Sequence, residues 1–297
     1  MHSIAKAFTT PPSRWLDVGH SRLAYRRFGS GPDLVFVHGW PLTSATWRDV
    51  VHELAPHYTC HLIDLPGTGH TRTGDDAPFG IHAHAQTLRR AVDELGLRRL
   101  SLVGHDSGGA IARYLAASLG DRVQALVLSG TEIPHYRSLL LYSFEIANRM
   151  PAWVWRRVLS TRWLLRSRLL FGSCFVDPDY ADGEFGRLMV EPLRRPGVME
   201  QQLRMLRSIE LSDFDGLERI HAQLTAPTLL IWGSDDGFFP IDKARAMVDQ
   251  FAGPAQLVEI AGGRTFVHDE MPERFAALAH EHLRAHLRSV TLAETGS

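Results

Sequence analysis

Short apolar runs rich in Val, Leu and Ile alternate along this chain with longer amphipathic segments. Seven runs are predicted to be strands, namely residues 22–29, 34–39, 60–67, 100–106, 123–130, 226–233 and 255–262. Continuous apolar strands separated by helices are typical of a parallel sheet that is covered on both faces. The pattern therefore predicts an α/β fold with a mostly parallel central sheet flanked by helices.

Three segments carry apolar residues at helical spacing and end in glycine, a common helix stop; these are residues 82–96, 108–120 and 242–253. The alternation breaks from about Pro134 to Gly216, where the Arg- and Trp-rich "MPAWVWRRVLSTRWLLRSRLLFG" occurs. We expect residues 134–216 to form a helical cap, or lid, inserted between two strands. Residues 1–133 and 217–297 then form the core.

The composition excludes several classes of partner. A chain of 297 residues with a formal charge of −1 has no general attraction to nucleic acid or to an anionic membrane. Cys60 and Cys174 make no CxxC pair, so we expect two buried, reduced thiols and neither a zinc site nor a disulfide framework. We expect no cofactor and no metal.

The N-terminus lacks an apolar core of signal-peptide length, and no stretch reaches the roughly 18 apolar residues of a membrane span. This predicts a cytoplasmic protein without an integral membrane segment. The run from Arg149 to Arg168 holds six arginines and three tryptophans and no acid. Such a helix could rest on a membrane surface or bind an anionic substrate. We favour a solvated lid face with buried tryptophans, since arginine stems cover apolar surface well. The oligomeric state stays open.

The stretch "VGHDSGGA" from Val103 to Ala110 contains a candidate nucleophile. A strand that turns sharply into a helix holds one side chain up between two glycines, in the pattern G-x-nucleophile-x-G. Gly104 and Gly108 bracket Asp106 at those positions, whereas the same offsets around Ser107 give His105 and Gly109. The spacing selects Asp106, and the alternative is that Asp106 only caps the helix.

With this elbow, four further motifs make the chain resemble the α/β-hydrolase superfamily from about Trp15 to Leu287. They are "FVHGWP", "DLPGTGHT", "WGSDDGFFP" and "GGRTFVHDEMPERF". An aspartate in the elbow resembles the Asp-nucleophile branch, the haloalkane dehalogenases, fluoroacetate dehalogenases and epoxide hydrolases. A carboxylate, ionised at neutral pH, displaces halide or opens an epoxide at an sp³ carbon, and water then attacks the ester with the help of a general base.

The resemblance implies further site residues. Asp236 matches the triad acid, with its neighbour Asp235 as runner-up and Glu132 as the position that some haloalkane dehalogenases use instead. The Ser107 backbone N–H and Trp40 are expected to form the oxyanion or halide site. His38 and His105 are expected to orient loops.

The position of the catalytic histidine, seven residues before Pro272, holds Thr265, which cannot accept a proton at neutral pH. Three explanations stay open. His268, one helical turn away, acts as base instead of merely packing; the second half-reaction is lost; or the pocket serves non-hydrolytic chemistry.

Epoxide hydrolases place two lid tyrosines over the nucleophile, and Tyr136, Tyr142 and Tyr180 are available, although none lies in a matching motif. The sequence therefore predicts hydrolysis of a small hydrophobic organohalide or epoxide through an alkyl-enzyme ester on Asp106. The alternatives are a non-hydrolytic enzyme and a hydrophobic-ligand-binding pseudoenzyme on the same fold.

Overall fold

The computed structural model describes residues 2–137, 149–168, 170–195 and 197–294, with side chains up to Leu287. Within them one sheet of nine strands runs in the order β1-β2-β4-β3-β6-β7-β8-β9, and β5 pairs with β2. The strands are β1 (Arg14–Asp17), β2 (Ser21–Phe28), β3 (Asp33–Val37), β4 (Thr59–Ile63), β5 (Arg72–Thr73), β6 (Leu100–His105), β7 (Val123–Ser129), β8 (Thr228–Gly233) and β9 (Ala255–Ile260).

Twelve α-helices are present in the described residues. They are α1 (Ser3–Ala7), α2 (Arg48–Leu54), α3 (Ile81–Glu94), α4 (Ser107–Leu119), α5 (Ala152–Leu159), α6 (Arg162–Leu165), α7 (Val198–Arg207), α8 (Leu211–Asp215), α9 (Leu217–His221), α10 (Ile241–Met247), α11 (Val267–Glu270) and α12 (Pro272–Glu294). Short 3-10 turns lie at Ser44–Trp47, Gly120–Arg122, Phe171–Ser173, Pro178–Asp182, Glu191–Arg194 and Val248–Gln250, and a π turn at Gly186–Val190.

The predicted fold class is confirmed: the chain forms an α/β-hydrolase fold. The strands from β4 through β3, β6, β7 and β8 to β9 pair in parallel, whereas β1, β2 and β5 pair antiparallel at one end. Because the central strands are parallel, their carboxyl ends meet at one edge of the sheet. That edge carries the residues that follow β3, β6, β7 and β8.

Two hydrophobic cores lie on the two faces of the sheet. Along β3, Leu34 and Phe36 join one core, which includes residues of α2 and α12, and Val35 and Val37 join the other, which includes α3 and α4. Successive side chains of a strand point to opposite faces, so a strand covered on both faces needs apolar residues at every position. This is the physical origin of the continuous apolar runs.

Two strands, β1 and β5, were not predicted. Only one residue of β1, Leu16, is buried, and β5 has two residues, both at least partly exposed. An edge strand with one buried position has no apolar run, and a two-residue strand is too short for any periodicity. Their place in the sheet is decided by pairing with β2.

Between β7 and β8 the described residues form helices and turns and no strand, in the stretch predicted to be the insertion. Phe175, Phe185 and Leu193 of this stretch are buried in the core that also contains Phe266. Among the helices described, none is long and apolar enough to cross a membrane. Cys60 and Cys174 are both free and buried.

Candidate active site

Asp106 lies at the turn between β6 and α4 in a backbone conformation that side chains rarely adopt, with φ 52° and ψ −142°. The flanking glycines make this turn possible. A Cβ on Gly108 would lie 2.4 Å from the carbonyl oxygens of Val37 and His38, and a Cβ on Gly104 would lie 2.9 Å from the Cα of Gly109. The strained turn aims the Asp106 side chain away from the helix.

The Asp106 carboxylate is held on one oxygen. Oδ2 accepts from the Trp40 backbone N–H at 3.0 Å and from the Ser107 hydroxyl at 3.3 Å, and the Ser107 backbone N–H also favours its ionised form. Although Asp106 occupies the N-cap position of α4, its side chain makes no capping hydrogen bond. The carboxylate is therefore presented to other groups and does not serve the helix.

A cavity of about 150 Å³ opens above Asp106. Aromatic and aliphatic side chains form most of its wall, including Trp40, Trp155, Phe171, Phe214, Phe238, Phe266, Leu159, Leu170, Leu206 and Met199. The ionisable or hydroxyl-bearing groups that face it are His105, Asp106, Ser107, Glu132, Cys174 and Thr265. An apolar pocket with a few convergent polar groups is the usual form of a small-molecule site.

Glu132, which follows β7, faces the same cavity as Asp106. The Thr131 hydroxyl joins the two turns, since its Oγ1 lies 2.8 Å from the Asp106 carbonyl oxygen and 2.9 Å from Glu132 Oε2. Behind them the fully buried Arg113 donates to Thr131 Oγ1 at 2.8 Å and to the Glu132 carbonyl oxygen at 2.9 Å. The Arg113 guanidinium lies 4.0 Å from Glu132 Oε2.

Burial raises the pKa of both carboxyl groups, and the charge of Glu132 raises the pKa of Asp106 well above its usual range. The amides and hydroxyl on Oδ2 oppose this shift at Asp106, and the Arg113 guanidinium opposes it at Glu132. Two carboxylates that share a dry site do not both ionise readily. The pair therefore holds a proton more tightly than two separate carboxyls would.

Asp236, the predicted acid, lies in the loop after β8 and is buried, whereas its neighbour Asp235 is exposed. Asp236 Oδ1 accepts from the Thr265 hydroxyl at 2.8 Å and from the backbone N–H groups of Phe238 and Phe239 at 2.9 and 3.0 Å. Oδ2 is buried without a hydrogen-bond partner among the described residues. Burial raises the pKa of Asp236 to about 6.

The structure does not bring His268 to the cavity. Its ring is fully buried, Nε2 lies 2.8 Å from the Thr46 hydroxyl, and burial lowers its pKa to about 3. The ring packs against Trp47 and against His105, with centroid distances of 4.5 and 4.2 Å. These contacts place His268 behind the wall of the site, so its geometry does not support the predicted role as base.

His105 does line the cavity, but its Nε2 lies 3.0 Å from the Thr265 carbonyl oxygen and its Nδ1 is buried. Burial and the neighbouring His268 lower its pKa well below 6.5. His38 lies below the site, where Nδ1 is 3.0 Å from the Gly39 carbonyl oxygen and Nε2 accepts from the Leu65 N–H at 3.1 Å. Both histidines connect loops.

Trp40 contributes through its backbone. Its N–H points at Asp106 Oδ2, and its indole ring lines the cavity, but the indole N–H donates to the carbonyl oxygen of Gln202 at 3.0 Å. The backbone N–H, and not the indole N–H, is therefore the Trp40 donor that reaches the Asp106 carboxylate.

No tyrosine of the described part of the chain lines the cavity. The Tyr180 hydroxyl instead donates to Asp269, and Tyr136 packs in the core on the face of α3 and α4. Tyr142 lies outside the described residues. In the Arg- and Trp-rich run, Trp155 is buried in the cavity wall, whereas Trp153 and Trp163 are 66% and 70% exposed.

Sequence reasoning named Glu132 only as an alternative acid and did not name Arg113 or Thr131. A signal for Arg113 was present, because it is a lone charge within the otherwise apolar helix segment "GGAIARYLAASLG". A charge in an apolar stripe needs a buried partner. Which partner it takes depends on the pairing of β6 with β7, which brings Thr131 and Glu132 beside the elbow.

Comparison with known proteins agrees with this architecture. A model of the α/β hydrolase fold matches residues 32–272, and the chain belongs to that family. It is 27% identical over 273 residues to Haloalkane dehalogenase 2 of Mycobacterium tuberculosis, covering 89% of this chain and 92% of the relative. It is 36% identical over 243 residues to the pimeloyl-acyl-carrier-protein methyl ester esterase of Vibrio vulnificus, covering 80% and 88%.

Solved structures show the same fold. The epoxide hydrolase CorEH superposes with a TM-score of 0.78 at 22% identity, covering 92% of this chain and 98% of that one. The meta-cleavage product hydrolase CumD of Pseudomonas fluorescens IP01 superposes with a TM-score of 0.79 at 21% identity, covering 93% and 98%. The named relatives are hydrolases of several kinds, so the chain is a hydrolase-family protein whose reaction has to be inferred from its own site.

Proposed function

We propose that this protein is a hydrolase in which Asp106 attacks an sp³ carbon of a small apolar organohalide or epoxide and forms an alkyl-enzyme ester. The observation that carries the proposal is the aspartate at the elbow. Its backbone is strained, its Oδ2 is held by Trp40 and Ser107, and its side chain faces an apolar cavity. A side chain positioned in this way is suited to act as a nucleophile.

The hydrogen bonds on Oδ2 suit both halves of such a reaction. In the first half they orient the carboxylate so that the other oxygen, Oδ1, attacks carbon. In the second half, water attacks the ester carbonyl, and the same N–H groups stabilise the oxyanion that forms there. One set of donors therefore serves both transition states.

The cavity supports a small, apolar substrate. A cavity of about 150 Å³ accepts a molecule of roughly the size of benzene. The walls offer few groups that would hold a charged substrate, and desolvation in them favours displacement by a carboxylate. In this proposal the described residues of the segment 134–216 form the cap, since Trp155, Leu170 and Met199 close the cavity from there.

The first test looks for a covalent adduct on Asp106. The protein is incubated with 1-bromobutane, 1,2-dibromoethane or cyclohexene oxide, quenched in acid within the first turnover and measured as intact protein and as peptides. We expect an adduct of the alkyl group on the peptide that contains Asp106. Asp106→Asn should form none and should lower halide or diol release by about 10³-fold or more.

Two controls make the result decisive. Ser107→Ala should still form the adduct, which separates attack by Asp106 from attack by the neighbouring hydroxyl. Circular dichroism of Asp106→Asn checks that the isosteric variant is folded. If a broad panel of halides and epoxides leaves no adduct on Asp106 and releases no product, the proposal is wrong.

A second candidate function is binding of a hydrophobic ligand without turnover. Thr265 favours it, because a hydroxyl bonded to Asp236 stands where the relatives of this fold branch carry the histidine that activates water. The same experiment distinguishes the two. A ligand-binding protein would bind an inert analogue such as butylbenzene, measured by calorimetry, while Asp106 stayed unmodified by the reactive halides.

A further inference from the structure

We infer that Glu132 is the catalytic acid and base of this site and performs the proton transfers for which relatives use a histidine. The inference rests on the proposed nucleophilic role of Asp106. It is carried by two observations: Asp106 and Glu132 both line one apolar cavity, and the Thr131 hydroxyl links the Asp106 backbone carbonyl oxygen to Glu132 Oε2. In this arrangement the reaction proceeds although residue 265 is threonine.

The backbone keeps the two carboxyl groups together. The Asp106 N–H donates to the Gly130 carbonyl oxygen at 3.0 Å, so the turns after β6 and β7 run side by side. The Thr131 hydroxyl then touches the Asp106 carbonyl oxygen and Glu132 Oε2. Arg113 holds this turn from below through the Glu132 carbonyl oxygen. Glu132 is thus a positioned residue that lines the cavity, with its Oε2 held by Thr131.

The other candidate bases are less suitable. Thr265 carries a hydroxyl, and His268 does not line the cavity. His105 lines it, but Nε2 is engaged with the Thr265 carbonyl oxygen and Nδ1 is buried. Asp236 lies beside Thr265 outside the cavity wall. Among the described residues that face the cavity, Glu132 is the carboxyl group other than the nucleophile.

Charge also favours the assignment. Desolvation and mutual repulsion leave the Asp106 and Glu132 pair with a proton, while the cations Arg113 and Arg137 reduce the cost of ionising Glu132. The donors on Asp106 Oδ2 favour its carboxylate, and the proposed reaction starts from the form of the pair in which Asp106 is ionised and Glu132 holds the proton. Once Asp106 is esterified its negative charge is gone, and Glu132 ionises more easily.

With an epoxide the atoms balance in two steps. Asp106 Oδ1 forms a bond to carbon, the carbon–oxygen bond of the ring breaks, and protonated Glu132 gives its proton to the ring oxygen. Glu132, now a carboxylate, takes a proton from water as the water oxygen bonds to the ester carbonyl carbon. Collapse releases the diol and the Asp106 carboxylate, and Glu132 is protonated again.

With a halide the first step needs no proton. Asp106 displaces halide, and Glu132 loses its proton to solvent because the adjacent negative charge has been neutralised. The second step is then the same, with Glu132 accepting the proton of the attacking water. The net products are an alcohol, halide and one proton.

The test compares Glu132→Gln with the native protein on 1-bromobutane. Glutamine keeps the shape and an acceptor for Thr131 but cannot accept the proton. We expect Glu132→Gln to release about one bromide per protein in a burst, keep the butyl group on the Asp106 peptide, and turn over at least about 10²-fold more slowly. The burst shows that the variant is folded and its nucleophile active.

Glu184→Gln is the matched control, because Glu184 also pairs with a buried arginine, Arg48, at 2.9 Å but lies away from the cavity. It should turn over without accumulating adduct. In water enriched in oxygen-18, native protein should take label into the Asp106 carboxylate during turnover, and Glu132→Gln should take up almost none. Label in Asp106 reports attack of water on the ester carbonyl.

The outcomes separate the two proposals. If native protein forms the adduct but never turns over, or if Glu132→Gln turns over at the native rate, Glu132 is not the base and the nucleophilic role of Asp106 still stands. Loss of turnover in His268→Ala together with normal turnover in Glu132→Gln would give the role to His268. Absence of any adduct in every variant would refute the role of Asp106, and the role of Glu132 with it.

Discussion

Three acids follow three neighbouring strands of the sheet, but two of them differ from the third in what they face. Asp106 after β6 and Glu132 after β7 both face the cavity. Asp236 after β8 is bonded to the Thr265 hydroxyl and to two backbone N–H groups, and it is shut off from the substrate space. Similar side chains at one sheet edge therefore occupy chemically different sites.

The difference shows how each acid is used when residue 265 is threonine and offers no imidazole. In the family that the sequence resembles, an acid in the position of Asp236 orients a histidine. Here it bonds to the Thr265 hydroxyl, and its raised pKa makes the stability of the fold fall as pH rises. In the proposed mechanism the Asp106 and Glu132 pair needs no imidazole, because each carboxyl group alters the ionisation of the other. We therefore look for the reacting groups in the Asp106 and Glu132 pair, because these two titratable residues line the same cavity.

The largest effect is expected from restoring the histidine to a protein that lacks the Glu132 carboxylate. In Glu132→Gln, the second substitution Thr265→His places an imidazole beside Asp236, where Thr265 now donates to Oδ1 at 2.8 Å. We expect turnover of 1-bromobutane to rise by about 10²-fold over Glu132→Gln, since a paired histidine supplies the base. Steady-state bromide release measures it.

Asp236→Asn in the same background is the control for this rescue. If the imidazole works through Asp236, adding Asp236→Asn to the double variant should remove most of the gain. If the rise in turnover persists in the variant that lacks the Asp236 carboxylate, the imidazole at position 265 does not work through Asp236.

The next effect concerns stability and its dependence on pH. Because the folded-state pKa of Asp236 is raised to about 6, the folded protein holds this proton more tightly than the unfolded chain does. The resulting stability is present in full below the unfolded pKa and is lost as pH rises through about 6. Relative to Asp236→Asn, native protein should lose roughly 2 to 3 kcal/mol between about pH 4 and pH 7. Urea denaturation at a series of pH values measures the difference, and a difference that does not vary with pH would contradict the prediction.

The smallest effect is expected at Ser107. Its hydroxyl donates to Asp106 Oδ2 over a long 3.3 Å and accepts from the Trp40 N–H at 2.9 Å, so Ser107→Ala leaves both backbone N–H groups in place. We expect the rate of ester formation to fall by about tenfold or less, which is below the loss usual for a main oxyanion donor. Rapid-quench measurement of the Asp106 adduct tests this. A loss as large as that of Asp106→Asn would instead assign the attack to Ser107.

Much of the fold follows from local pattern. The strands from β2 to β4 and from β6 to β9 were predicted, since a strand buried on both faces has to be apolar at every position. The glycines around Asp106 were predicted from the spacing of the elbow motif, and at Gly108 the structure supplies the reason, because a Cβ there would lie 2.4 Å from the carbonyl oxygens of Val37 and His38. Edge strand β1 was not, since its position comes from pairing and leaves a single buried side chain.

The sequence by itself determined the α/β fold and the turn with Asp106 between two glycines, and it led to the prediction that Thr265 stands where relatives carry the catalytic histidine. Only the tertiary structure decided which groups meet in the cavity. It turned His268 toward Thr46, bonded the Trp40 indole to Gln202 and brought Glu132 beside Asp106. The physical reason is the separation along the sequence of the residues that set each feature. A strand or a tight turn is set largely by neighbouring residues, whereas the meeting of Asp106 and Glu132 depends on strand pairing and on the distant charge of Arg113.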